Sequence, residues 1–289
     1  PSSYDRNKAW PVIVVCHSTF PDSPNRRLRA WTELAESHGF VLVAPQLSGA
    51  KRSWSRDANE KRKRQVDDET HILAVIQHVR AAYNISDDRI LIHGFAGGAA
   101  SALRTGLKNP QTFRAISVTQ PRFEPGDLAD VGSWIDPYQP VYLDFTVADV
   151  LTGKEGRLCA DWLRAHGANL RDDPAGSAAG ADSGRHVAFF QQVIRKEQWL
   201  HVAVAPTGLH NPLEMRFRLL SAAVPSRFRW QFGDGDESPV AEPVHAFAKP
   251  GTYRVTVTVE WPKSGPHTRI VDLNVPDGTV RPAHGSPAP

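Results

Sequence analysis

Cysteine and methionine are nearly absent from this 289-residue chain, which holds two of the first and one of the second. Two cysteines are too few for a disulfide scaffold. Cys16 closes the apolar run Val12 to Val15 and Cys159 lies in a helical pattern, so both are expected as small buried hydrophobes. No apolar stretch approaches the roughly 18 residues of a membrane-crossing helix. There is no His-Glu-x-x-His and no Cys/His pairing at ligand spacing, so no metal centre is expected. "GFAGGAAS" (94–101) has glycines but lacks the Lys-Ser/Thr of a phosphate loop, and no nucleotide or other cofactor is expected either. Charge is nearly balanced, at +3. The local excess runs from Lys51 to Arg64 and includes "KRKR" (61–64), but Asp57, Glu60, Asp67, Asp68 and Glu69 flank it. That mixture reads as an ordinary solvated loop and gives poor grounds for a nucleic-acid partner.

What is present is the composition of a folded globular protein, 40% hydrophobic and 22% charged, in a chain long enough for two domains. Residues 1–197 alternate strand-like and helix-like segments. "PVIVVCH" (11–17) and "GFVLVAP" (39–45) are continuous β-branched runs, as expected of strands covered on both faces. Between them Leu28, Trp31, Leu34 and Ala35 recur at helical spacing, and Gly39 stands as a C-cap. Ile72, Val75, Ile76 and Val79 repeat the device, and strands at 89–93, "FRAISVT" and "PVYLDFT" follow with their helices. Such alternation predicts right-handed βαβ units on a mostly parallel, doubly wound sheet. From about residue 200 the helical period disappears. "EMRFRLLSA", "RFRWQFGDG", "TYRVTVTVEW" and "TRIVDLNV" are strands between Gly/Pro/Asp turns, and Tyr253, Val255, Val257 and Val259 share one face. A β-sandwich over 198–277 is expected, with a Pro/Gly-rich disordered tail at 278–289.

One stretch, "RILIHGFAGGAAS" (89–101), has the outline of a strand, a sharp turn and a helix start. That is the setting of the G-x-S-x-G nucleophile elbow, but the middle position holds Ala96. A methyl group cannot attack a carbonyl.

Beyond residue 198 the chain resembles a PKD domain, an immunoglobulin-like sandwich common on secreted and surface proteins. The resemblance rests on "WQFGDGD" (230–236) and "HAFAKPGTYRVTVTV" (245–259). It implies that Trp230 fills the core, that Gly233-Asp234-Gly235 turn tightly with Asp234 bonding backbone amides, and that the domain is a scaffold or contact module. The first part resembles an α/β-hydrolase of the polyhydroxybutyrate-depolymerase-like and feruloyl-esterase-like group. The residues that carry this are "PVIVVCHS" (11–18), "GFVLVAPQ" (39–46), the block 66–101, "PVYLDFTVAD" (140–149) and "GRH" (184–186).

That resemblance implies a triad in the chain order nucleophile, acid, base. The nucleophile position falls on Ala96 and the acid on Asp149, with Asp144 as runner-up. The base falls on His186, with His210 as the alternative. The oxyanion hole is implied at the Gly97 N–H and near Ser18 or Thr19. His17-Ser18 and Phe145-Thr146 stand where the group has His-Gly, so three positions near the site depart together. Two readings of Ala96 follow. The first is a natural, catalytically silent pseudo-hydrolase that binds an ester, polyester or carbohydrate-type ligand or a partner. The second is a secreted carboxylic-ester hydrolase whose serine has been replaced. An unfamiliar nucleophile, Ser18 or Ser101, and a purely structural surface protein are the remaining alternatives. The resemblances imply an extracellular, cell-surface or periplasmic location.

Overall fold

The structure, a computed structural model, describes residues 1–18, 22–48, 58–148, 150–174, 183–196, 199–208, 211–221, 223–262, 264–275 and 279–282. The chain divides into two compact units, Pro1–Glu197 and Gln198–Pro289.

The first unit alternates strands and helices: β1 (Trp10–Cys16), α1 (Pro24–His38), β2 (Val41–Val43), α2 (Ala58–Ala82), β3 (Ile85–Phe95), α3 (Ala99–Lys108), β4 (Ala115–Thr119), β5 (Pro140–Asp144), α4 (Val150–Ala165), β6 (Asn169–Asp173) and α5 (Ser183–Lys196). All six strands are parallel, in the order β2-β1-β3-β4-β5-β6. The reversal between β1 and β3 is a topological switch point, where open α/β sheets place ligands at the carboxyl ends of their strands.

The continuous apolar runs divide by parity between two cores. Val12, Val14, Cys16, Ile90 and Ile92 face the layer that contains residues of α2, α3 and α4. Ile13, Val15 and Leu91 face residues of α1 and α5. Burial on both faces is why these strands carry no polar alternation. Local chemistry bounds α1 as its sequence suggests: the Ser23 hydroxyl accepts from the Arg26 N–H, Pro24 opens the first turn, and Gly39 ends the helix at φ 72°. Cys16 and Cys159 are free and fully buried, and burial pushes both thiols up.

The basic run 61–64 belongs to the first turns of α2, and it is largely neutralised there. Lys61 Nζ lies 2.6 Å from Asp127 and 2.9 Å from Glu124, Arg62 pairs with Asp130 at 2.6 Å, and Arg64 with Glu60. Asp130 also takes Arg104, which is 1% exposed and reaches Glu69 as well. These pairs tie α2 and α3 to the 3-10 turn at Pro125–Leu128.

The second unit is a sandwich of two antiparallel sheets. Its strands are β7 (Leu200–Pro206), β8 (Glu214–Ser221), β9 (Arg227–Gln231), β10 (Glu237–Ser238), β11 (Val244–Ala246), β12 (Gly251–Trp261), β13 (Ser264–Val275) and β14 (Thr279–Pro282). One sheet runs β10-β9-β12-β13-β14 and the other β11-β8-β7. Val255, Val257 and Val259 alternate into the core, while Tyr253 is half-buried on the same face. Trp230 is fully buried against Phe217, with ring centroids 5.5 Å apart. Strand β14 lies inside the segment expected to be disordered: it pairs with β13 from Val271↔Pro282 to Asn274↔Thr279. Edge pairing of this kind needs little side-chain pattern, which is why its Pro/Gly-rich surroundings hide it. The last seven positions, 283–289, are outside the described residues.

Candidate active site

The carboxyl ends of β3, β4 and β5 meet at one level, with Phe95 beside Thr119 and Thr119 beside Asp144. Beyond Phe95 the chain makes a single 3-10 turn, Ala96–Gly98, and enters α3. Ala96 has φ 47°. Among the described residues only Gln120, just past the end of β4, is another non-glycine with positive φ. For alanine that conformation costs on the order of 1–2 kcal/mol, and such strain gathers at functional sites. Neighbouring glycines make the bend possible. A Cβ on Gly98 would lie 2.5 Å from the Cys16 and His17 carbonyl oxygens, and one on Gly94 2.7 Å from Ala99 Cα. The elbow inferred from glycine spacing is therefore formed, with a methyl at its tip.

Opposite the elbow, Ser18 follows β1. The Gly97 N–H donates to the Ser18 hydroxyl at 3.1 Å, and the Ser18 N–H donates to Asp22 Oδ2 at 2.8 Å. Asp22 Oδ1 in turn accepts from Arg27 Nε at 2.8 Å, and the Arg27 guanidinium lies 4.3 Å over the Phe95 ring. His17 fixes this segment from behind. Its Nε2 accepts from the Leu47 N–H at 3.0 Å, so its Nδ1 carries the proton and donates to the Ser18 carbonyl at 2.7 Å. Gly97 and Ser18, both expected at the oxyanion hole, are thus together, but each N–H already has an acceptor from the chain. Thr19 lies outside the described residues.

His186 sits in the first turn of α5 and is 2% exposed. Its Nε2 meets the Thr119 hydroxyl at 2.5 Å and lies 3.6 Å from Asp144 Oδ2. The ring packs against His93, Tyr142 and Trp31, with centroids 4.6, 5.1 and 6.4 Å away. The runner-up acid, Asp144, thus lies beside His186. Asp149 and His210 lie outside the described residues. Among the described residues, nothing hydrogen-bonds the buried His186 Nδ1 or Asp144 Oδ1.

His93, two residues before the end of β3, was not singled out from the sequence. Its Nδ1 lies 2.9 Å from the Ser117 hydroxyl, and burial, then His186 and Arg27, hold its pKa well below the ordinary imidazole range. A histidine inside an apolar strand run gives no sequence signal beyond its break in the pattern. Burial, reinforced by Asp144 and Asp173, pushes the Tyr142 hydroxyl up.

Ser101, one of the alternative nucleophiles, is spent. It is buried in α3 and donates to Asp68 Oδ2 at 3.0 Å, a carboxylate that also takes the N–H and hydroxyl of Ser48. Among the described residues one trio could offer a cation three ligands: Asp234, Asp236 and His245 in the second unit. His245 Nε2 already meets Asp234 Oδ2 at 2.7 Å and its ring stacks on Phe232, so the trio has a structural account.

A family model for the PKD domain matches residues 203–275. No curated protein matches the chain. Among solved structures, an esterase designated PE8 aligns with 66% of this chain and 95% of its own, at 19% identity and TM-score 0.52. A Bacteroides ovatus protein described as a dipeptidyl aminopeptidase IV aligns with 66% of this chain and 32% of its own, at 14% identity and TM-score 0.53. A variant of Arabidopsis thaliana SOBER1 aligns with 65% and 99%, at 13% identity and TM-score 0.50. Identities this low speak for fold alone. The chain joins a unit with the α/β-hydrolase fold to a PKD domain at residues 203–275.

Proposed function

We propose that the first unit is a disarmed ester hydrolase, a fold that holds an ester, polyester or carbohydrate-type ligand at the elbow without turning it over. One observation carries the reading: a strained nucleophile elbow, with φ 47° at its tip, presents an alanine methyl. Without a nucleophile, covalent catalysis is lost, and oxyanion binding alone leaves roughly 10³–10⁴ over water, too little for a working enzyme. The PKD domain is the spacer or contact module of the pair, and its kind supports an extracellular or surface location. Incubation of the chain with p-nitrophenyl acetate and butyrate tests the reading. Release at the rate of the buffer blank is expected, and a burst or steady turnover above it overturns the proposal.

A second reading is supported by the same strain and by the approach of Asp144 to His186, 3.6 Å. Here the chain is a serine esterase whose nucleophile has been replaced. Ala96→Ser alone then restores hydrolysis, and a further His186→Ala abolishes it. Should His210→Ala abolish it instead, the base is His210.

A further inference from the structure

The hydrogen bonds around Ser18 have a consequence that an alanine at the elbow does not explain. An oxyanion hole works when two N–H donors stand free, 2.7–3.1 Å from where the charge will appear. Here the Gly97 N–H is capped by the Ser18 hydroxyl at 3.1 Å, and the Ser18 N–H is turned to the Asp22 carboxylate at 2.8 Å. The hydroxyl stands within the distance of Gly97 that a substrate oxygen would need. The Asp22 carboxylate holds the Ser18 N–H while its own charge is met by Arg27. Nor is the arrangement loose. The Asp22 side chain is 7% exposed and its other oxygen is held by Arg27, itself 12% exposed. Arg27 rests on Phe95, the residue before the elbow tip, and His17 fixes the Ser18 carbonyl. The chain from Gly97 through Ser18, Asp22 and Arg27 to Phe95 closes on itself around the elbow.

We propose that this Ser18–Asp22–Arg27 latch is a second lock on the site, independent of Ala96: it keeps the Gly97 and Ser18 N–H donors engaged, so a nucleophile at position 96 is not sufficient for ester turnover. The inference rests on the reading of the unit as a disarmed hydrolase and adds the residues that disarm it.

The test compares the parent chain, Ala96→Ser, Ala96→Ser/Ser18→Gly and Ala96→Ser/Ser18→Gly/Asp22→Ala with p-nitrophenyl acetate, each checked for folding by its thermal transition. In the chemistry to be restored, the introduced hydroxyl forms a C–O bond to the acetyl carbon and its proton passes to the imidazole base. The C–O bond to p-nitrophenolate breaks, and water later releases acetate. Each oxyanion donor is typically worth about 10²–10³ in turnover. Ala96→Ser is therefore expected to stay within about twofold of the parent, and freeing the donors to raise hydrolysis at least about tenfold above Ala96→Ser.

Several outcomes overturn the latch. If Ala96→Ser is as active as the double and triple variants, the latch is wrong while the disarmed reading stands. If all three variants are silent, the donors are not what limits the site. If Ser18→Gly lowers an activity that Ala96→Ser has, the hydroxyl helps the oxyanion instead of blocking it. Hydrolysis by the parent defeats the disarmed reading itself. Amide exchange at Gly97 gives a readout free of turnover: in Ser18→Gly it is expected to quicken about tenfold or more, and no change removes the hydrogen bond on which the latch depends.

Discussion

His186 and Asp144 approach to 3.6 Å inside the protein, with the Thr119 hydroxyl on the same imidazole nitrogen. The ring is 2% exposed and walled by His93, Tyr142 and Trp31. It is a packing unit as well as the proposed base, and the two roles differ in what truncation costs. Large-to-small changes at buried sites cost about 2–5 kcal/mol. His186→Ala is therefore expected to destabilise the first unit by about 3 kcal/mol, lowering its transition by roughly 6–12 °C. Differential scanning calorimetry measures this. A loss under about 0.5 kcal/mol would mean that the ring is not part of the core.

Burial holds the His93 imidazole neutral, and this links stability to pH. Its folded pKa lies well below the ordinary 6.5, so below that value the unfolded chain binds a proton that the folded chain refuses. Stability present at pH 7 is lost as pH falls from about 6.5 towards the folded pKa, by at most about 1.4 kcal/mol per unit for this group. His93→Gln should flatten that part of the urea-midpoint profile relative to the parent. Parallel profiles between pH 6.5 and 5 would place the acid sensitivity elsewhere.

Strain at the elbow makes a prediction of opposite sign at two neighbouring positions. Glycine adopts φ 47° freely where alanine does not, so Ala96→Gly is expected to stabilise the unit by about 1 kcal/mol, despite glycine's larger unfolded entropy. Gly98→Ala should do the reverse and cost about 3 kcal/mol or more, because its Cβ would meet the Cys16 and His17 carbonyl oxygens at 2.5 Å. Denaturant unfolding compares the two. Destabilisation by Ala96→Gly would show that the bend is not under strain.

These features were unequally visible in the sequence. The parallel sheet and the elbow were legible because both rest on local regularities: runs of β-branched residues, and glycines at 94 and 98 where side chains cannot fit. The Ser18 cap was legible only in part. Ser18 could be placed near the oxyanion hole by its position after β1, but nothing in "HSTFPDSP" says that its hydroxyl turns inward or that Asp22, four residues on, takes its N–H. The approach of Asp144 to His186 was not legible either, because the two lie 42 residues apart and distance along the chain does not say which side chains meet. Pairing across elements hides in the same way for His93 and Ser117, 24 residues apart. Strand β14 shows the converse, since edge pairing needs backbone and little side-chain pattern.

The turn Gly233-Asp234-Gly235 was legible and carries the last prediction. Gly233 has φ 85°, and a Cβ there would lie 2.6 Å from the Arg254 carbonyl oxygen in the neighbouring strand β12. The turn is also fastened by Asp234, which accepts from the Asp236 N–H at 3.1 Å and meets His245. Burial alone would raise the Asp234 pKa, but the His245 bond and charge together with backbone N–H donors, that of Asp236 among them, outweigh it and leave the carboxyl below its ordinary range. Gly233→Ala faces both the left-handed backbone and the clash, while Asp234→Ala removes only the fastening. The first is expected to cost about 3 kcal/mol or more and the second about 1 kcal/mol. Hydrogen exchange followed by peptide mass separates the two units of the full chain. Protection over 227–231 and 252–259 should fall far more in Gly233→Ala than in Asp234→Ala, with the segments 10–16 and 90–95 unchanged in both. Equal losses for the two variants would mean that β12 yields to the extra methyl, and that the turn is held by Asp234 and not by the room that glycine leaves.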